Sequence, residues 1–576
     1  MFELDRSVTP MSDSTSAAAR FTAIAAAAVL LLSPALWNRF PLLEYDTGGY
    51  LARWFEGYLV PSRSTTYGLF LVAGWPLDFW PIVILQAAAA VWIIGLTLRV
   101  HGFKISPAGF IAVIAALAAT TALPWLASEL LTDIFAGLAV LALHVLLFHG
   151  ERIAPGERVG LVLFGAFAVS THSATYAVVL ALTLLALPIS LVFPRYLPRP
   201  GVARAGAALL LGAALLVGGN YAVAGKLAWT PGGYGLAFGR MLQDGIVTRY
   251  LDDHCPDPGL RLCPYRDELP RDADAFLWDD SVFNKLGRFA GLGDEMRRIV
   301  LESLRDYPGL QIEAALSDTA RQLGAVATGY GVLTTIAHTY GIIERYTPSA
   351  VPAMRAARQQ HGEIGFAVVN DIDVPVAWLA MALLPALAAC RFWNAEFAAL
   401  SGLAATLTLA LVANAAFCAA ISHYNNRYGS RLVWIAVFAV GLAACATPPT
   451  DTVTTTSAQA TSTTRRAPDS DELFDLKSPL LREEPAPVNP RAERDLELAA
   501  DAARARDRKI SDAIVRAIVK DPGLSPRAKH IDVETRGRHV TLRGDVPTGR
   551  ERQEIDATAR FTDDVLDVDD RIVIVP

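Results

Sequence analysis

Ten apolar stretches, at residues 21–37, 81–99, 107–123, 131–149, 159–172, 175–193, 203–224, 374–390, 396–420 and 431–446, constrain this chain more than any other feature. A helix needs about 20 predominantly apolar residues to cross ~30 Å of hydrocarbon, where no water satisfies the backbone. The runs therefore predict an all-α polytopic membrane bundle of about ten transmembrane helices. Composition agrees, since 53% hydrophobic and 19% charged residues suit a water-soluble chain of 576 residues poorly. The average conceals a division near Cys445, beyond which no comparable run occurs and Asp, Glu and Arg become dense. A net charge of -6, spread over both signs without a long basic patch, argues against nucleic acid as a partner.

Short loops rich in Lys and Arg stay on the cytoplasmic side. Arg99 with Lys104, Arg152 with Arg158, Arg195 with Arg199 and Arg204, and Arg391 fall in alternate loops, which one topology with the N-terminus inside satisfies. The first run exits through Pro34, Leu36 and Trp37 without a small-residue cleavage site, so it is expected to be a retained helix rather than a signal peptide. That topology puts residues 38–80, 124–130, the turn at His172, residues 225–373 and residues 421–431 on the outer face. There the sequence collects Asp46 and Arg63, Glu129 and Asp133, His172, and His423 with Arg427 and Arg431. Each has a bland reading: Asp46 before Thr and two glycines can shape a turn, the arginines can anchor a helix at the interface, and His172 can be a polar residue between helices. Anchoring does not require acids, histidines and arginines on one face, and ionisable groups at membrane depth mark functional sites.

The strings FPLLEYDTGGYL, YGLFL, LPWLASELLTDIFAGLAVLAL and NNRYGSRLVW, in a layout of one helix, a large outer loop with an acid near the membrane and many short-looped helices, resemble the GT-C superfamily of membrane glycosyltransferases over residues 20–445. The resemblance implies transfer of a sugar from a polyprenyl-phosphate donor to an envelope glycan, lipid or protein in a bacterial inner membrane. It makes Asp46 the general base on the acceptor hydroxyl. Arg63, His423 and Arg427 would stabilise the departing phosphate, and Glu129, Asp133 and His172 would bind sugar hydroxyls or assist the base. A single acid, rather than an adjacent acidic pair, leaves a divalent metal cofactor open and assigns no metal ligands. The competing class is a non-catalytic envelope or transport protein.

Residues 225–373 form an expected periplasmic insertion between N-terminal membrane helices (1–224) and C-terminal ones (374–446). Cys255 and Cys263 within it can close a disulfide in an oxidising compartment, whereas four well-spaced zinc ligands are not visible there. FLWDDSVFNKLGRF reads as loop, and DEMRRIVLESLRDYPGLQIEAALSDTARQL as amphipathic helices capping the outer face. Cys390 and Cys418, in or beside apolar runs, read as packing residues.

Residues 447–501, rich in Thr and Pro and then in charge, read as a disordered linker. In 502–576, Ile510, Ile514, Val515, Ile518 and Val519 recur at helical spacing, and Asp521, Pro522 and Gly523 end the helix. Ile531 and Val533 face Val540 and Leu542 across a turn at Gly537, a second helix covers 550–561, and 565–575 is a last strand. This small α+β domain, ordered α-β-β-α-β, resembles a BON domain through KDPGLSPRAKHIDVETRGRHVTLRGDV, including Gly544. The resemblance implies binding of phospholipid or an envelope protein, and Asp564 stands where a glycine is usual. Leu442, Ala443, Ala444 and Cys445 look like a lipoprotein cleavage box. Ten spans instead put the tail in the cytoplasm, and counting 67–80 as another span would reverse that.

Overall fold

A computed structural model describes residues 16–278, 281–334, 336–390, 398–445, 490–521, 524–536, 539–560, 562 and 567–575. The chain divides between Cys445 and Ala446 into two compact units.

The first unit is mostly helical. Seven of its described helices are long and apolar enough to cross a membrane: Trp80–Val100, Ile134–Arg152, Ser173–Val192, Arg199–Ala224, Ala367–Ala389, Leu400–Ile421 and Asn426–Cys445. The other three expected runs are helical but shorter, at 15 residues for Ala17–Leu31, 14 for Pro107–Thr120 and 17 for Pro155–Thr171. At about 1.5 Å per residue these extend roughly 21–26 Å, short of ~30 Å of hydrocarbon. Local chemistry sets the limits. A new short helix, Ser33–Asn38, starts with Pro34 in its first turn. Ser106 caps the second helix by accepting from the Gly109 amide at 3.1 Å, with Pro107 at its first position. The stretch 67–80 is not one span: a ten-residue helix, Thr65–Gly74, precedes a turn at Asp78 and Phe79, both with positive φ. Arg391 lies outside the described residues.

Ile134–Arg152 is the most enclosed long helix, with 89% of its apolar window buried, against 28% for Arg199–Ala224 and for Ala367–Ala389. The latter two expose Leu210, Val368 and Leu379, the outward apolar faces a lipid-facing helix requires.

Between Ala224 and Ala367 lie shorter helices with a core of their own, built around Phe238, Tyr250, Phe276, Phe283, Met296 and Ile299. The amphipathic stretch forms the helices Arg288–Asp306 and Pro308–Gly324. Cys255 and Cys263 are joined in a disulfide, with Cα atoms 5.6 Å apart.

In the second unit a helix, Pro490–Lys520, precedes strand β1 (Asp532–Arg536), strand β2 (His539–Val546), a helix, Gly549–Arg560, and strand β3 (Asp567–Ile574). β2 is central, antiparallel to β1 with Val533 opposite Leu542, and parallel to β3 with Val540 opposite Val568. Ile510, Ile514 and Ile518, four residues apart, pack onto Val540, Leu542 and Ile572. Val515 and Val519, expected on that face, are instead 39% and 49% exposed, because only one stripe of the helix meets the sheet. The first helix also begins inside the stretch expected as linker. Pro522, Gly523, Gly537, Phe561, Asp564, Val565 and residues 446–489 lie outside the described residues.

Candidate functional site

Two outer segments run side by side through a parallel bridge between Leu42 and Glu129, in which the Leu42 amide donates to Ser128 and the Leu130 amide donates to Leu42, each at 2.9 Å. Glu44 then caps the helix Tyr45–Glu56. Its Oε2 accepts from the Asp46 amide at 2.6 Å, and the Glu44 amide donates to Thr47 Oγ1 at 3.0 Å. The cap holds Asp46 in the first turn, and Thr47 Oγ1 donates to the Leu130 carbonyl at 3.0 Å, fastening this helix to the segment that carries Asp133. A third segment locks the first: Gln359 exchanges hydrogen bonds with the Leu43 amide and carbonyl at 3.0 and 2.6 Å, and Thr339 Oγ1 donates to the Glu44 carbonyl at 3.0 Å. Gly331, at φ 86°, brings bare backbone against the Glu44 carboxyl, where a Cβ would stand 2.2 Å from Oε1.

Arg427, in the first turn of Asn426–Cys445, is the hub. Its Nε donates to Asp133 Oδ2 at 2.6 Å, and its Nη1 to Asp46 Oδ2 at 2.8 Å and to Glu44 Oε1 at 3.3 Å. Arg63 Nη2 takes the other Asp46 oxygen, Oδ1. One turn on, Arg431 Nη1 stands 3.5 Å from Asp133 Oδ1, while its Nη2 donates to Asn414 Oδ1 at 2.7 Å. Such charge-assisted pairs are the strong kind when desolvated, and all these acids and Arg427 and Arg431 are buried.

The environment sorts the carboxyls. Burial pushes Glu44 well above the usual range, with Arg427 pulling against it, and burial together with Asp133 raises Glu129 to about 8. Asp46 is desolvated too, but Arg63 and Arg427 outweigh that and hold it below the usual aspartate range. At neutral pH the Glu44 and Glu129 carboxyls thus favour the neutral form and Asp46 the charged one. His172 is held well below the ordinary histidine range by burial and by Arg431.

Asp46, Arg63, His172, His423 and Arg427 line one cavity of about 170 Å³. Asp274 and Trp278 of the inserted segment, with Phe417 and Ile421, line it as well, so one part of the wall is charged and another apolar. His423 Nε2 stands 3.4 Å from Asp274 Oδ2. Glu129 and Asp133 are not in the cavity wall; Asp133 sits behind it, holding Arg427 and Arg431. Glu44 and Asp274 were not among the candidate residues picked from sequence, and Arg431, placed on the same face, had been given no role there. Glu44 means that Asp46 has an acidic partner after all, two residues away rather than adjacent. The signal was present as Glu-Tyr-Asp at a helix start, where the first acid caps and the second faces inward.

No curated protein and no solved structure matches the chain. No family match accompanies the GT-C likeness of residues 20–445. A family model described as the BON domain does match residues 506–576. The α-β-β-α-β unit at the C-terminus is therefore a BON domain.

Proposed function

We propose that the first unit is a membrane glycosyltransferase that moves a sugar from a polyprenyl-phosphate donor to a hydroxyl of an envelope acceptor. The observation that carries this reading is the convergence of Asp46, Arg63 and Arg427 on one cavity whose remaining wall is partly apolar. In the reaction the acceptor oxygen bonds to the anomeric carbon as the carbon–phosphate oxygen bond breaks. The acceptor proton passes to Asp46, and the charge left on the lipid phosphate falls to Arg63 and Arg427, whose forked donors suit phosphate oxygens. Phe417, Ile421 and Trp278 suit the first isoprene units of the donor. Without donor both guanidiniums hold Asp46. A docking phosphate competes for them, and as they turn to it the carboxylate regains basicity at the moment it is needed. Of the sugar-binding candidates His172 alone lines the cavity and would meet a sugar hydroxyl; Glu44, Glu129 and Asp133 stand outside its wall and act through Asp46 and Arg427.

Within this proposal the membrane is a bacterial inner membrane crossed about ten times. The three shorter helices are included in that count, the cavity faces outward, and the inserted segment covers it. The BON domain would bind phospholipid or an envelope partner.

The test is a turnover assay on purified full-length chain with labelled polyprenyl-phosphate sugars and a lipid extract. Asp46→Asn is expected to lose ~10²–10⁴-fold in turnover at matched membrane abundance, the usual worth of a general base. Near-normal turnover in the variant would leave Asp46 as a helix-start residue and remove the catalytic reading. A second reading, a non-catalytic envelope or transport protein, is favoured by one observation: both Asp46 oxygens are already engaged by arginines. Absence of labelled product from the wild-type chain with every donor tried would favour it.

A further inference from the structure

At the other end of the enclosed helix lies a second polar cluster that the glycosyltransferase reading does not use. His101, His144 and His149 each present a ring nitrogen, and these nitrogens lie within 4.8 Å of one another. The backbone is built to bring two of them together. His144 ends the α-helical part of its helix, and Val145–His149 is π-helical. On an α-helix residues five apart diverge by roughly 140°, whereas a π turn closes i→i+5 and returns them to one face. His101, just beyond Trp80–Val100, completes the set: its ring stacks on His144 with centroids 5.3 Å apart and meets His149 at 4.7 Å.

The hydrogen bonds fix which nitrogens are free. His101 Nδ1 lies 2.8 Å from the Thr97 carbonyl, which can only accept, so Nδ1 carries the proton. His144 Nδ1 lies 3.0 Å from Thr406 Oγ1, and that hydroxyl donates its own hydrogen to the Gly402 carbonyl at 3.0 Å. Thr406 therefore accepts, and His144 is again protonated on Nδ1. Both rings are left with an Nε2 lone pair, and both Nε2 atoms are buried without a hydrogen-bond partner. Two buried acceptors on neighbouring rings with no donor are costly by themselves. A cation removes that cost. On His149, Arg152 Nη1 stands 3.5 Å from Nδ1, too far to dictate that ring's tautomer.

We propose that His101, His144 and His149 form a zinc site. Three neutral imidazoles suit Zn²⁺, with a fourth position left to water, and Thr97 and Thr406 act as the outer partners that orient ligating rings. The nitrogens need to close from their present spread to the separations that ~2.0–2.1 Å Zn–N bonds require, a movement available to His101 at a helix end. The site is independent of Asp46. From Asp133 to His149 the helix rises roughly 24 Å at about 1.5 Å per residue.

The experiment uses tag-free full-length chain, stripped with chelator, titrated with Co²⁺ as a spectroscopic probe and then with Zn²⁺. The expected result is one Co²⁺ per chain with the intense d–d absorption of a tetrahedral site, displaced by Zn²⁺. His101→Gln, at a partly exposed helix end where folding tolerates change, is expected to abolish the absorption. Thr406→Val, which touches no metal, is expected to weaken affinity 10–100-fold through the tautomer of His144. No tetrahedral absorption in the wild-type chain, or unchanged affinity in either variant, would overturn the proposal.

Discussion

Glu129 illustrates how residue chemistry here is decided by neighbours far away in sequence. The carboxyl sits near 8 because burial and Asp133 disfavour its charge. In the unfolded chain it returns to its ordinary value near 4.5, so between the two values the folded state holds the extra proton. Stability contributed by that proton is complete below the lower value and is lost as pH rises through the upper one. We expect the thermal midpoint of the chain in detergent to fall as pH rises from about 4.5 to about 8 and Glu129→Gln to flatten the fall; parallel profiles for the two proteins would show that Glu129 does not titrate in this window. Sequence marked Asp46, Arg63 and Arg427 because charges beside apolar runs demand partners. It did not mark Glu44, since an acid in a loop is ordinarily solvated. What buries it comes from far along the chain: Gly331 against its carboxyl, Thr339 on its carbonyl, Gln359 on the neighbouring Leu43, and Arg427.

At the scale of elements, the apolar runs located all seven described helices long and apolar enough to cross a membrane, because in hydrocarbon the backbone can be satisfied only within the helix. Lengths were less legible: Ser106, Pro107 and Thr121 bound a helix of 14 residues inside an apolar run that reads as longer. The junction of Asn426–Cys445 with the end of Pro308–Gly324 was not legible at all. There Gln322 exchanges hydrogen bonds with the Asn425 amide and carbonyl at 2.8 and 2.9 Å, and Asn426 Oδ1 accepts from the Ala327 amide at 3.1 Å. Gly429 lets the two backbones touch, for a Cβ there would stand 1.9 Å from the Ala325 carbonyl oxygen. Backbone cannot yield as a side-chain tip does. Gly429→Ala should therefore push the helix start away, withdraw Arg427 from Asp133 and destabilise by about 1–3 kcal/mol, the usual cost of overpacking. An unchanged midpoint in a thermal melt would mean the junction can open without loss.

At the scale of the whole molecule, the division after Cys445 was readable as a change from apolar to charged composition, and the order of helices and strands along the second unit from its periodicities, though not the parallel pairing of β3 beside β2. The start of its first helix was missed because PRAERDLELAADAARARDR is charge-rich like a linker, although Ala, Glu, Leu and Arg are strong helix formers. With a core drawn entirely from residues 510–572, a fragment of residues 490–576 should fold alone and melt in one cooperative transition by circular dichroism. A flat, non-cooperative trace would show that it needs the rest of the chain. The first unit has no such independence in its polar centre. Arg427 is the shared cation of Asp133 and Glu44, yet it follows them by 294 and 383 residues. At ~5–20 residues per second a ribosome takes roughly 20–80 s to cover the longer interval. For that time the acids must stay hydrated or protonated while the helices around them enter the bilayer. A nascent chain stopped short of its last helix would carry unpaired acids in apolar surroundings, a state for quality-control proteases to recognise, so truncation near residue 425 should be read in cells as absence of protein rather than as an inactive one.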